Sequence, residues 1–366
     1  MHQDPIRVLV IDDSAYSRRS IVHMLERSPL VEVIGSARDG EEALRKTLEL
    51  EPDLVTLDLE MPRMDGFTFL RLVMAKRPTP VMVISGRAGE DEVFKALDLG
   101  AVDFVAKPTT YPSADLRHIE ESLIRKVHAI RDLRIEKVSD RVAAEPPLLG
   151  ESDCSPRRWP RAVVIGSSTG GPAALGRTLS AFREVPPCAF LVAQHMPREF
   201  TRGFAERLDR MTPFRVREAR DGDVPASGCV LVAPGGAHLL LERRGERIEA
   251  RVEPDREAGW RYVPSIDRLF ESAAKQYGER LIAVVLTGMG DDGREGALQV
   301  KRSGGRVIAE SEETAVIYGM PRQIVSAGAA DEILPLHRIP AAIQRGLGPL
   351  EAGHPSVGGD DERGRG

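Results

Sequence analysis

Two α/β domains in tandem, each built on a mostly parallel sheet, are what this sequence predicts. Three observations carry that expectation. The chain has 366 residues, more than one ordinary core holds and suited to two at roughly 100–200 residues per domain. Short apolar runs alternate with amphipathic stretches, the pattern of βαβ units on a parallel sheet. The alternation stops once, in a charged and then proline-bearing stretch after Lys126, and resumes at Arg161.

In the first half the expected strands are Ile6–Ile11, Val31–Ser36, Leu54–Asp58, Pro80–Ser85 and Asp103–Ala106, with helical patterns such as Ala15–Arg27 and Glu41–Leu50 between them. The stretch that follows contains Ala143–Pro147 and Pro156–Pro160. Proline cannot continue a helix, and little there can be buried. It reads as a linker whose first part extends the last helix of the first domain.

In the second half the strands are expected at Arg161–Gly166, Ala189–Gln194, Arg215–Glu218, Cys229–Ala233, Leu281–Thr287 and Arg306–Ala309. Helices are expected at Pro172–Phe182, Glu199–Arg210, Ile266–Tyr277, Arg294–Ser303 and Pro321–Ala327. His238–Glu242 and Ile248–Val252, separated by Arg243–Arg247, read as an inserted β-hairpin. From about Glu351 the chain is Gly-rich, charged and aperiodic, and is expected to be disordered.

Composition narrows the function. The 51 basic and 56 acidic residues leave a net charge of −5, which argues against a protein that works mainly by holding nucleic acid. No apolar run approaches the ~18–20 residues that span a bilayer, and the N-terminus lacks a secretory signal, so no membrane insertion and a cytoplasmic location are expected. Cys154, Cys188 and Cys229 show no CxxC spacing and read as three reduced thiols.

The first chemical constellation is acidic. Asp12 and Asp13 end the first strand, and Asp58 ends the third. In an open parallel sheet the carboxyl ends of strands form the ligand crevice. Carboxylates converging there repel one another unless a hard cation such as Mg²⁺ lies among them. Ser85 adds a hydroxyl on the same rim, and Lys107, before Pro108, adds an ammonium. One such residue is often only a helix cap. All five at strand ends are equipped to accept and hold a phosphoryl group.

This half resembles the receiver domain of two-component response regulators, a flavodoxin-like fold. The likeness rests on Asp12-Asp13, the run Asp58-Leu-Glu-Met-Pro-Arg-Met-Asp-Gly66, Ser85 and Lys107-Pro108. It implies phosphorylation of Asp58 by a histidine kinase. It also implies Mg²⁺ held by Asp13, Asp58 and the carbonyl of Glu60, with Asp12 holding the water shell. Phe104 stands where such domains carry a switch aromatic.

The second half begins with Ala162-Val-Val-Ile-Gly166, which runs into Ser167-Ser168-Thr169-Gly170-Gly171-Pro172 and then a helical pattern. Such a turn suits either a phosphate at a helix N-terminus or a nucleophilic serine. Neither GxGxxG, GxxxxGK[ST] nor GxSxG is present. His195 follows one apolar strand, and Gly288-Met289-Gly290-Asp291-Asp292-Gly293 follows another. A nucleophile, a base and a carboxylate can therefore share one rim. The residues alone leave choices open between Ser167 and Ser168, His195 and His238, and Asp291 and Asp292.

Residues 159–347 are similar to the catalytic domain of the CheB family of chemotaxis protein-glutamate methylesterases. The likeness rests on Ile165-Gly-Ser-Ser-Thr-Gly-Gly-Pro172, Gln194-His-Met-Pro197, Ala233-Pro-Gly-Gly-Ala-His238 and Leu286-Thr-Gly-Met-Gly-Asp-Asp-Gly293. It implies a Rossmann-like α/β hydrolase with Ser168 as nucleophile, His195 as base and Asp292 as orienter. The backbone N–H groups of Thr169 and Met289 become the oxyanion donors. Ser167 stands where the family often has alanine. The implied substrates are glutamate γ-methyl esters and certain glutamines of methyl-accepting chemoreceptors, with no cofactor for hydrolysis. The expected divisions are a receiver at 1–125, a linker at 126–158, a catalytic domain at 159–347 and a tail at 348–366.

Two other output classes are disfavoured. A nucleic-acid-binding output conflicts with the acidic balance and with an α/β second half that is no helix-turn-helix module. A dinucleotide enzyme conflicts with the missing GxGxxG and with the lack of a suitably placed acidic residue after Gly171.

Overall fold

The structure is a computed structural model that describes residues 4–85, 90–107, 115–133, 135, 138, 161–255 and 260–347. The first sheet has five parallel strands: β1 (Ile6–Ile11), β2 (Val31–Ala37), β3 (Leu54–Leu57), β4 (Val81–Ser85) and β5 (Asp103–Ala106). Their spatial order is β2-β1-β3-β4-β5. Strands β3 and β4 are buried along their whole length, as expected of a parallel sheet covered on both faces by crossover helices. The helices start where the sequence offers caps. Ser14, Asp39 and Asp65 accept the backbone N–H groups of Ser17, Glu42 and Thr68, satisfying donors that the first turn cannot.

The last helix of this half spans Asp115–His128. Residues 139–160, with Cys154 and most of the expected linker, and the expected tail at 348–366 lie outside the described residues.

The second sheet has seven strands, every adjacent pair parallel. They are β6 (Arg161–Ser167), β7 (Cys188–Gln194), β8 (Arg215–Glu218), β9 (Cys229–Val232), β12 (Leu281–Val285), β13 (Arg306–Glu310) and β14 (Glu332–Leu334). The order is β14-β13-β12-β6-β7-β9-β8. Strands β10 (Ala237–Arg244) and β11 (Arg247–Pro254) form a separate antiparallel hairpin, in the place the alternation predicts. The expected strand at Leu281–Thr287 stops at Val285. The Thr287 N–H leaves the ladder to donate to the buried Glu310 carboxylate. Strand β14 and helix Ile339–Leu347 were not anticipated: β14 is too short for its periodicity to show.

One expectation is corrected. Cys229 is disulfide-bonded, whereas Cys188 is free and buried, and burial pushes its thiol up. Spacing along a chain does not report which cysteines meet in space, and Cys229 opens a strand at a partly exposed position.

The two sheets share one apolar cluster. Phe104 lies 4.5 Å from Phe200 and Phe94 lies 5.7 Å from Phe204, centroid to centroid. Around them Arg207 pairs with Asp98 at 2.5 Å and Arg210 with Asp91 at 3.2 Å. Arg210 and Asp91 are 61% and 83% exposed, and such pairs contribute at most about 1 kcal/mol. The buried aromatic contacts, each about 0.5–1.5 kcal/mol beyond the area they bury, therefore outweigh the exposed Arg210–Asp91 pair. Leu133 also forms an antiparallel bridge with Ile317.

Candidate active site

The second sheet begins at its centre. From β6 the chain goes to β7 on one side, and it later returns on the other side through β12. The order therefore reverses between β6 and β12, and ligand crevices open at the carboxyl ends of strands at such a point. Ser168 follows β6, His195 follows β7, and the turn Gly288–Gly293 follows β12, so all three stand on one rim.

The two serines divide their work. Ser167 is fully buried and donates to Gln194 Oε1 at 2.6 Å. With its oxygen thus engaged, Gln194 turns Nε2 toward the carbonyls of Ser168 (2.9 Å) and His195 (3.0 Å). The Ser167 carbonyl accepts the His195 N–H at 3.0 Å. Gln194 thereby ties the ends of β6 and β7 into one block. Ser168 is held by its backbone, its N–H donating to the Thr287 carbonyl at 3.1 Å. Its hydroxyl makes no hydrogen bond among the described residues. Two glycines permit the turn. Gly170 has φ +76°, a region that L side chains rarely adopt. A Cβ at Gly288 would lie 2.8 Å from the Ser168 Cβ.

His195 and Asp292, 97 residues apart, meet through a 2.8 Å bond from Nε2 to Oδ2. The Asp292 carboxylate is almost fully buried and also accepts the N–H groups of Ile266 (2.7 Å) and Asp267 (2.9 Å) and the Ser265 hydroxyl (3.2 Å). Burial opposes its charge, but the His195 bond and these N–H donors outweigh burial and hold its pKa below the usual value. Asp267 is pushed the other way, up to about 7, by burial and by the Asp292 charge.

The rivals are placed elsewhere. Asp291 faces outward, 3.4 Å from Arg261 and 3.3 Å from the Tyr262 hydroxyl. His238 is buried behind the site, its Nδ1 accepting the Ser265 N–H at 3.1 Å. Burial lowers its pKa, and no bond links it to Ser168 or His195.

Neither the Thr169 nor the Met289 N–H donates to a protein acceptor among the described residues, so both are free for a ligand oxygen. The Thr169 side chain faces the first domain. Its hydroxyl donates to Asp103 Oδ2 at 2.5 Å, and Met289 borders an apolar cluster that joins Val102 and Ala129 of the first half to Val316 and Ile317 of the second.

Sequence reasoning gave no role to Gln194, Ser265 or Tyr262. The Tyr262 ring lies parallel to the His195 imidazole, centroids 4.9 Å apart and 5° between planes. A polar residue just ahead of His195 was the only sign of Gln194, and an aromatic in a loop was the only sign of Tyr262.

On the first sheet, Asp12, Asp13 and Asp58 bring carboxylate oxygens within 4.8 Å of one another. Lys107 Nζ lies 2.6 Å from Asp12 and 2.7 Å from Asp58. Burial raises the Asp58 pKa, and Lys107 only partly offsets it. Burial also acts against the charge on Lys107, but the two carboxylates raise its pKa overall. The Glu60 N–H helps to hold the Asp58 carboxylate. Ser85 Oγ is buried at the end of β4 with no hydrogen-bond partner among the described residues. Phe104 is buried and packed on Phe200. Three carboxylates are a hard-oxygen donor set that fits Mg²⁺.

Comparison with known proteins agrees with both halves. Residues 163–343 match the family model for CheB methylesterase, and residues 8–118 match that for the response regulator receiver domain. Protein-glutamate methylesterase/protein-glutamine glutaminase 3 of Geobacter sulfurreducens is 50% identical, over 94% of this chain and 98% of the relative. Protein-glutamate methylesterase/protein-glutamine glutaminase 1 of Myxococcus xanthus is 47% identical, over 92% and 96%. Protein-glutamate methylesterase/protein-glutamine glutaminase 6 of Anaeromyxobacter dehalogenans is 50% identical, over 92% and 95%. No helix among the described residues is long and apolar enough to cross a membrane.

Proposed function

This chain belongs to the CheB family of protein-glutamate methylesterases/protein-glutamine glutaminases that carry a response-regulator receiver, and from that premise we propose how its own residues act. The substrates are glutamate γ-methyl esters and particular glutamines of methyl-accepting chemoreceptors. Ser168 attacks the ester carbonyl, and its proton passes to His195. The observation that carries this reading is the 2.8 Å bond between His195 Nε2 and the buried Asp292 carboxylate, on the strand-end rim that also carries Ser168. It leaves Nδ1 as the nitrogen that takes the serine proton, the reverse of the serine-protease template.

Charge then develops on the carbonyl oxygen, where the free N–H groups of Thr169 and Met289 receive it. The proton returns to the departing methoxide and methanol leaves, with an acyl ester left on Ser168. Water, deprotonated by His195, attacks that ester. The Ser168 oxygen recovers the proton, and glutamate is released. A glutamine amide follows the same course with ammonia as the leaving group. The hydrolysis draws on no cofactor.

The receiver regulates this site. A histidine kinase is the phosphodonor, and Asp58 is the acceptor. Asp13, Asp58 and the Glu60 carbonyl would hold Mg²⁺, with Asp12 ordering its waters. When bound, the ion offsets the charge of the incoming phosphoryl group. Ser85, Phe104 and Lys107 are the residues that respond. The Asp103–Thr169 bond and the apolar cluster shared by the two halves beside Met289 support a receiver that closes over the site before phosphorylation. We divide the chain into receiver (1–125), linker (126–158), catalytic domain (159–347) and tail (348–366). Its partners are kinase and receptor, not nucleic acid, and they place its work in the cytoplasm.

The test is methanol release from methylated receptor membranes, with and without a phosphodonor. Release that rises with the phosphodonor is expected. No release under either condition would refute the assignment.

A further inference from the structure

We propose that Tyr262 is a positioning residue for His195, its ring fixing the imidazole plane in which Nδ1 meets Ser168. The inference rests on the roles given above to Ser168 and His195. It starts from a gap in how the imidazole is held. The bond to Asp292 anchors one atom, Nε2. One hydrogen bond fixes a point and leaves the ring free to rock about it. The parallel ring of Tyr262, 4.9 Å away and tilted by 5°, removes that freedom, and this spacing is that of an offset aromatic stack.

A ring can position another only if it is itself fixed, and Tyr262 is. Its hydroxyl donates to Asp291 at 3.3 Å. The Arg261 guanidinium lies 5.1 Å from the ring centre, and Arg125 of the first domain lies 5.9 Å from it. Arg125 also donates to the Arg261 carbonyl at 3.3 Å. The hydroxyl sits so close over Gly290 that a Cβ there would collide with it.

The position of Tyr262 in the chain is the second argument. Three residues on, Ser265, Ile266 and Asp267 supply the donors that hold Asp292. One short segment therefore sets both partners of the His195–Asp292 bond, the carboxylate through its N–H groups and the imidazole through its face. Asp291, which had seemed a competitor for the orienting role, anchors the tyrosine instead.

The test uses the full chain with acetyl phosphate and Mg²⁺ present, and a small fluorophosphonate probe. The serine oxygen bonds to phosphorus, fluoride leaves with the bonding pair, and the serine proton passes to the histidine. The probe needs no receptor docking, so its rate reports how well the serine is activated. Tyr262→Phe keeps the ring and should label within about threefold of wild type. Tyr262→Leu and Tyr262→Met keep apolar bulk but lose the ring. Their limiting labelling rate should fall roughly tenfold to a hundredfold, the scale of a small misplacement of a reacting group, with half-saturation unchanged.

Thermal unfolding is followed alongside, and Tyr262→Met serves if Tyr262→Leu does not fold. A wild-type rate in the ringless variants would overturn the inference. A weaker half-saturation with an unchanged limiting rate would overturn it too, because Tyr262 would then be a substrate contact. His195→Ala separates the two levels. If it labels as fast as wild type, the base assignment itself fails. If it is silent while the ringless variants label normally, only the role of Tyr262 fails.

Discussion

The Thr169 hydroxyl donates to Asp103 Oδ2 at 2.5 Å, so the residue after Ser168 is tied to the last strand of the receiver sheet. Asp103 also accepts from Lys126 at 2.8 Å, which fixes its carboxylate on the receiver side. A hydrogen bond to a charged group contributes about 1.5–3 kcal/mol, and 1.4 kcal/mol is about tenfold in an equilibrium. Thr169→Val deletes this bond and keeps the backbone N–H. It should raise methanol release without phosphodonor by about tenfold if release is limited by the open fraction. An unchanged basal rate would show that Thr169 does not hold the domains together.

Removing the receiver altogether should go further. Residues 155–366 should release methanol faster than the unphosphorylated full chain at equal concentration. A phosphodonor should activate the full chain, and Asp58→Asn should abolish that response. A shift between mostly closed and mostly open needs a few kcal/mol of differential stabilisation. If the isolated catalytic half is no faster, occlusion by the receiver is wrong.

The paired candidates on the rim give a sharp contrast. Ser168→Ala and His195→Ala should be nearly inactive. Asp292→Asn should approach the roughly 10⁴-fold loss that follows removal of a triad carboxylate. His238→Ala should retain activity. Asp291→Asn keeps a side-chain oxygen for the Tyr262 hydroxyl and should lose far less than Asp292→Asn. Equal losses at the two aspartates, measured as initial rates, would mean that the turn matters and not one carboxylate.

Ser167 offers a finer contrast. Its hydroxyl fixes the orientation of Gln194, whose Nε2 joins the Ser168 and His195 carbonyls. Ser167→Ala should keep substantial activity, because the Nε2 bonds can persist without it. Gln194→Leu takes the amide donor from the part-buried His195 carbonyl, at about 1–3 kcal/mol, while the Ser168 carbonyl keeps the Gly171 N–H at 2.8 Å. It should lower the unfolding midpoint more than Ser167→Ala does. A smaller shift for Gln194→Leu in parallel thermal melts would contradict the role given to the amide.

Asp267 should leave a mark on stability against pH. Its folded pKa is raised to about 7 from an ordinary 3.8. Between those values the folded state holds a proton that the unfolded state has released. By linkage, this group's contribution is fully present below about pH 4 and is lost as pH rises through about 7. Buried His238, with a lowered pKa, acts oppositely: its contribution is present above 6.5 and is lost as pH falls. The difference between wild type and Asp267→Asn isolates the first effect. Relative to the variant, wild type should lose stability from pH 5 to pH 8. A pH-independent difference would remove Asp267 from the account.

The sequence disclosed most strands because most are short apolar runs; β14, only three residues long, escaped. Asp58, Ser168, His195 and Asp292 follow such runs, so the rim was legible with them. What could not be read was contact between segments distant in the chain. Nothing near Tyr262 announces a stack on His195, and nothing near Asp103 announces a bond to Thr169. The Cys229 disulfide escaped for the same reason. Gln194 escaped differently. It lies in a quoted motif, but an amide at a strand end has no chemistry of its own until its neighbours' carbonyls are located.

Strand β5 joins the two halves of the molecule along its own axis. At one end Lys107 reaches Asp12 and Asp58, and at the other Asp103 holds Thr169. Four residues of extended chain at about 3.3 Å each separate these ends by roughly 13 Å. An extended strand cannot lengthen much further, so the two ends of β5 are joined with little slack. As the edge strand it is bonded to β4 alone, so sliding disturbs a single ladder. A displacement of about an ångström is enough to part a 2.5 Å hydrogen bond, and a movement that small needs no refolding at either end.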